Sequence, residues 1–166
     1  MGRMPAEILR DTKTIAVVGA SPNPNRPSHG VMRYLLQVGY RCIPVRPPAS
    51  LATSASGRGS FAPASVGAAD PGRMDPRPQR PDCNEVLGVP CVASLAEIEE
   101  PIDLVDVFRR AEFCADVARE AAAVGAKALW LQLGIVSPEA RRIAVDARLD
   151  YVENLCTAVV HAREVA

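Results

Sequence analysis

The chain has 166 residues, 48% of them hydrophobic and 23% charged, which suits one globular domain with a buried core. Lysines plus arginines number 19 and aspartates plus glutamates 19, so the formal net charge is zero. That balance lacks the basic excess of a general nucleic-acid or membrane-surface binder, and any anion site has to be local.

The first elements follow directly from the pattern. Residues 4–12 predict a short helix, with Pro5 suited to its first turn. Thr14-Ile15-Ala16-Val17-Val18 is a continuous apolar run that ends at Gly19, as expected of a strand buried on both faces of a parallel sheet. A helix is expected from about Ser28 to Val38, with Val31, Leu35 and Val38 inward and Gly39 as its stop. Arg41-Cys42-Ile43-Pro44-Val45 reads as a second strand, placed at an edge or an irregularity by its proline.

Composition then shifts. Residues 48–82 are dominated by Pro, Ala, Ser, Gly and Arg, too poor in large apolar side chains to offset ordering entropy, so a flexible insertion in a single 1–166 domain is expected. Order resumes at Glu85-Val86-Leu87-Gly88, and Ser94-Leu95-Ala96-Glu97 has the spacing of a capping box opening a short helix. Residues 103–108 form a third expected strand. The helix after it carries Phe113, Val117, Ala121 and Val124 on one stripe and stops at Gly125. Residues 128–133 predict a fourth strand, Ser137-Pro138-Glu139 a capped helix, 149–152 a fifth strand, and the tail a short helix near His161. The alternation implies an α/β, Rossmann-like, doubly wound and mainly parallel five-stranded sheet with helices on both faces. Ligands of such sheets bind beyond the C-terminal strand ends.

The residues at those ends are suggestive. The loop Gly19 to Gly30 combines a glycine for a sharp turn, the hydroxyls of Ser21 and Ser28, and the charge of Arg26 beside a helix N-terminus. That combination makes a phosphate cradle; the alternative is a proline-stiffened loop with Ser28 as helix cap. G-x-G-x-x-G is missing, and Arg46 stands where a dinucleotide site carries an acid. A guanidinium there suits a phosphorylated ribose, as in NADP or coenzyme A, or is simply solvated. Phe108 and Arg109 follow strand three and suit a ligand cover and a phosphate contact, or core and solvent. Gln132 follows strand four as a hydrogen-bond donor to a ligand or as a loop tie. Trp130 is expected in the core.

Catalytic groupings are scarce. His29 and His161 are the two histidines, and His29 suits orientation or ligand contact better than base chemistry. Asp103 and Asp106 fall on opposite strand faces and form no carboxylate pair. Five scattered cysteines without C-x-x-C indicate reduced, buried thiols rather than disulfides or a metal centre, and Cys156 is read as structural. Neither a signal peptide nor an apolar run of roughly 20 residues is seen, so a cytoplasmic protein is expected.

Taken together, Val17 to Asn23, Arg26 to Val31, Ile43-Pro44-Val45, Glu85 to Gly88, Val105 to Arg110 and Leu129 to Gly134 resemble the stand-alone CoA-binding domain proteins of bacteria and archaea. Their domain is similar to the N-terminal CoA-binding domain of the succinyl-CoA synthetase alpha subunit. The resemblance implies that Gly19, Ala20, Ser21, Arg26 and Ser28 hold the CoA pyrophosphate. It places Val45 and Pro47 on the adenine side, Val107, Phe108 and Arg109 in mid-cleft, and Gln132 at the pantetheine end. Arg46 replaces the asparagine usual in that family, and the long insertion begins where a short loop is normal. The synthetase's phosphohistidine domain has no counterpart, so phosphoryl transfer by this chain is not expected. The implied function is binding of CoA or an acyl-CoA by a non-catalytic binding, carrier or regulatory module. The rivals are an NADP-dependent oxidoreductase and a CoA-binding subunit of an acyl-CoA synthetase completed by another chain. The expected partner is the small molecule CoA, not nucleic acid or membrane; a protein partner or a homo-oligomer stays open.

Overall fold

The computed structural model describes residues 2–46 and 85–166; the expected insertion at 48–82, with Pro47 and Cys83, lies outside the described residues. In chain order come α1 (Pro5–Asp11), β1 (Thr14–Val18), α2 (Pro27–Gln37), β2 (Arg41–Val45), β3 (Glu85–Val86) and β4 (Val89–Pro90). A 3-10 turn at Leu95–Glu97 precedes β5 (Leu104–Val107), α3 (Ala111–Ala123), β6 (Ala128–Leu131), α4 (Pro138–Asp146), β7 (Asp150–Val152) and α5 (Thr157–Glu164). Five strands form one sheet in the order β2-β1-β5-β6-β7, and every pairing in it is parallel. The α/β, Rossmann-like expectation is met.

The two-residue period of the central strands divides the core. Ala16, Val18, Val105, Val107, Leu129 and Leu131 point to the side packed by α3 and α4. Ile15, Val17, Leu104, Ala128 and Trp130 point to the side packed by α1, α2 and α5. Each large aliphatic side chain so buried contributes about 1.5–3 kcal/mol, which is why β1 needs no polar face. Trp130 is fully buried, and its indole N–H donates to the Leu155 carbonyl at 2.8 Å.

Pro44 is tolerated because β2 is an edge. The Pro44 carbonyl accepts from Val92 N–H at 3.0 Å on the side away from β1, so the missing proline N–H also falls on that open side. Arg46 N–H donates to Val92 O at 2.9 Å, and Val45 and Val92 form an isolated parallel bridge. At the opposite edge β7 has three residues.

Several local expectations are corrected. Helix α2 starts at Pro27, with Arg26 in the capping position, so Ser28 lies inside the first turn and does not cap. Its buried face is Ser28, Met32 and Leu35, whereas Val38 is exposed at the C-terminal end. The Ser94 side chain makes no capping bond; Glu97 instead accepts from Ala93 N–H at 3.1 Å, one residue upstream. Residues 85–90 form a hairpin whose Leu87 and Gly88 both have positive φ, 53° and 77°, as a type I′ turn demands. Asp103 and Asp106 do part. Asp103 accepts from Lys13 N–H, Thr14 N–H and Lys127 at the N-terminal strand ends, while Asp106 is wholly buried.

Candidate functional site

The sheet changes winding direction between β1 and β5, and a cleft of about 650 Å³ opens over the C-terminal ends there, where open α/β sheets bind ligands. One wall is the β1–α2 loop. Gly19 takes φ +86°, and its N–H donates to Val45 O at 3.0 Å. A Cβ on it would lie 3.1 Å from both Phe108 O and the Arg109 side chain, so this crossing requires glycine. The loop braces itself. Asn23 N–H donates to Ser21 Oγ at 3.2 Å, Asn25 N–H to Asn23 Oδ1 at 2.9 Å, and Arg26 N–H to Asn23 O at 3.0 Å. Among the described residues, nothing beyond its chain neighbours and its own helix backbone comes within 4 Å of a Cβ added at Gly30, so no described strand approaches it.

Of the sequence candidates, Gly19, Ala20, Ser21, Arg26, Ser28, Phe108, Arg109 and Gln132 come together in the lining. Val45 and Val107 do not. They are 1% and 0% exposed, on the α3 side of the sheet, because side chains turned into the core cannot also reach the cleft. His29 is half-buried outside the lining, and His161 is buried with its Nδ1 3.0 Å from Tyr34 Oη.

Among the described residues, the lining carries three guanidinium groups, Arg26, Arg46 and Arg109, and no carboxylate. The protein's net charge is zero, yet this cleft is locally cationic. The Arg109 guanidinium sits 4.6 Å from the Phe113 ring centroid, a cation–π contact that fixes it beside the mouth. Val31 and Pro27 of α2, Leu133 and Ile135 after β6, and Cys156 before α5 complete the walls. Leu133 is 70% exposed, so with Val31 and Ile135 it gives the cleft an apolar share of wall beside the arginines.

Of the two roles the sequence leaves open for Gln132, ligand donor or tie, its bonds make it a tie. It is 4% exposed, and its Nε2 donates to Asp106 Oδ1 at 2.6 Å and to Thr157 Oγ1 at 2.7 Å; Thr157 Oγ1 donates to Asp106 Oδ2 at 3.0 Å. Both amide protons are spent inside the protein. The tie between β6, β5 and α5 is the role the structure supports, and no donor remains for a ligand. Burial pushes the Asp106 carboxyl up to about 7, opposed by the bonds from Gln132 and Thr157.

An open parallel sheet with a cationic cleft at its switch point defines a Rossmann-like ligand-binding domain. The match is to the CoA binding domain over residues 13–74 and 76–162, and the chain belongs to that family. It is 35% identical over 156 residues to YneT, an uncharacterized protein of Bacillus subtilis strain 168, covering 94% of this chain and 90% of that one. It is also similar to a solved structure described as a hypothetical protein from Pyrococcus horikoshii OT3, with 31% identity, TM-score 0.75, and coverage of 98% and 90%. A fold likeness at 18% identity and TM-score 0.62 extends to a dinucleotide-forming acetyl-coenzyme A synthetase of Ca. Korarchaeum cryptofilum. There 91% of this chain covers 28% of the other. Among the described residues no helix is long and apolar enough to cross a membrane, and no group of three His, Cys, Asp or Glu side chains could hold a metal ion.

Proposed function

We propose that the cleft holds coenzyme A or an acyl-CoA as a reversible ligand, and that the chain works as a binding, carrier or regulatory module. The observation that carries this reading is the triad of Arg26, Arg46 and Arg109, with no carboxylate among the described lining residues, in the switch-point cleft of a CoA binding domain. Anionic phosphates gain there from unopposed guanidinium groups. The apolar wall of Val31, Leu133 and Ile135 suits the thin arm that follows the nucleotide. Gly19, Ala20, Ser21 and Ser28 take the pyrophosphate, Phe108 covers the middle, and Arg46 takes the ribose 3′-phosphate. The described residues lining the cleft include no histidine and no carboxylate, which favours binding over acid–base chemistry.

Calorimetric titration with CoA, dephospho-CoA and NADP tests this reading. CoA is expected to bind, and Arg26→Ala to weaken it by about 1.5–3 kcal/mol, as for a charged hydrogen bond. Arg46→Ala should narrow the gap between CoA and dephospho-CoA. No CoA binding up to millimolar concentration refutes the proposal, and tighter NADP binding favours an oxidoreductase. The likeness to part of an acetyl-CoA synthetase supports a second reading, a CoA-binding subunit completed by another chain. Co-purification of an ATP-grasp protein would favour it.

A further inference from the structure

We infer that Gln132 presents a hydrogen-bond acceptor, its Oε1, to the cleft, and that Asp106 and Thr157 are the positioning residues that hold it that way round. The cleft then selects a ligand whose arm offers an N–H or O–H donor at this point. This inference rests on the CoA reading, because the pantetheine arm carries two amide N–H groups and a hydroxyl.

The two ends of the Gln132 amide are not interchangeable here. Above about pH 7 the Asp106 carboxylate is ionised and only accepts, so in that state the Gln132 atom 2.6 Å from Asp106 Oδ1 is the nitrogen. Thr157 gives its proton to Asp106 Oδ2 at 3.0 Å and can then accept only from the second Nε2 proton, at 2.7 Å. Each member of the triangle fixes the next. No buried side-chain nitrogen or oxygen among the described residues lacks a partner, and Gln132 lines the cleft while being 4% exposed. What the amide has left to offer there is Oε1. Strand alternation explains the assembly. Leu131 points to the α3 side, so Gln132 turns to the α5 side, where Asp106 also points and where α5 opens with Thr157. The carboxylate is thus a device for orientation, placed where the ligand does not touch it.

Calorimetry of the full chain at about pH 8, where Asp106 is ionised, with two probes, CoA and 3′,5′-ADP, isolates the arm. Wild-type protein is expected to bind CoA more tightly than 3′,5′-ADP. Gln132→Met, similar in shape but without an acceptor, should lower CoA affinity about fivefold, the worth of a neutral hydrogen bond, and leave 3′,5′-ADP unchanged. Asp106→Leu and Thr157→Val should reproduce that arm-specific loss through a released amide, while Thr157→Ser, which keeps the hydroxyl, should retain wild-type CoA affinity. Thermal melts accompany each variant, and if Asp106→Leu does not fold, the Thr157 pair decides the positioning role. An unchanged CoA affinity in Gln132→Met overturns the inference. So does equal weakening of both probes, which marks a purely structural role, or equal binding of the two probes by wild type. Failure of wild type to bind CoA at all strikes the functional proposal instead.

Discussion

Gly19 offers a direct test of how the cleft is built, because a matched control exists in the same protein. Gly19 and Gly134 have nearly the same backbone, φ +86° and +84°, but differ in surroundings. An added Cβ at Gly134 meets nothing within 4 Å, whereas at Gly19 it lies 3.1 Å from the Phe108 carbonyl and the Arg109 Cγ. Replacing either by alanine forces an L side chain into left-handed backbone, at about 1–2 kcal/mol. At Gly19 alone, overpacking against a carbonyl that itself follows β5 adds about 1–3 kcal/mol. Phe108 N–H is anchored to Val18 O at 2.9 Å, which ties the residue bearing that carbonyl to β1. Urea unfolding of Gly19→Ala and Gly134→Ala should therefore show a larger loss for Gly19. CoA affinity should fall for Gly19→Ala and hold for Gly134→Ala, which lies outside the cleft lining. Equal losses of stability would refute the close-approach argument and leave Gly19 needed for its φ alone.

Other expectations follow from buried groups. Asp106 ionises near 3.8 in an unfolded chain and at about 7 in the fold, so between those values the folded state binds the extra proton. Its contribution to stability is fully present below that window and is lost as pH rises through about 7. Asp106→Asn should flatten the stability difference between about pH 5 and pH 8 in urea unfolding, and an unchanged slope would contradict this. Trp130→Phe leaves the Leu155 carbonyl without its indole donor and should cost about 1–3 kcal/mol in the same assay. Iodoacetamide mapping should spare Cys42 and Cys114, which are buried with thiols pushed up to about 12 and about 11. Cys156, in the cleft wall, should be labelled, and saturating CoA should slow it; a rate indifferent to CoA would count against occupancy of that wall.

The sheet was legible because burial on both faces writes itself as unbroken apolar runs. Thr14–Val18 and Arg41–Val45 are strands with the expected bounds. The third and fourth strands were drawn too long for a reason tied to the site. Phe108, Gln132 and Leu133 prolong apolar or strand-like runs beyond Val107 and Leu131, yet lie past the last pairings and line the cleft. Apolar composition cannot tell a residue facing core from one facing a cavity. The hairpin at 85–90 was missed because two-residue strands show no period and leucine is a poor guide to left-handed backbone. Cys156 could not be read as a cleft residue at all. It reaches the wall only because the chain turns after β7, through Asn154 at φ 57°, and brings the start of α5 back over β6. The choice between donor and tie at Gln132 turns on a partner 26 positions away, Asp106, a separation over which sequence pattern carries no signal.

The treatment of the sheet's two edges bears on how copies of this chain can meet. On the β2 side, Pro44 has no N–H to offer and its carbonyl is already taken by Val92. On the other side, β7 exposes three residues of strand, and Asp150 N–H is engaged by the Lys127 carbonyl. Neither margin presents the long row of open main-chain groups that recruits a foreign strand. Among the described residues, these two short edges thus favour association written in side chains on helices and loops, where it can be specific, over backbone pairing, where it would be indiscriminate.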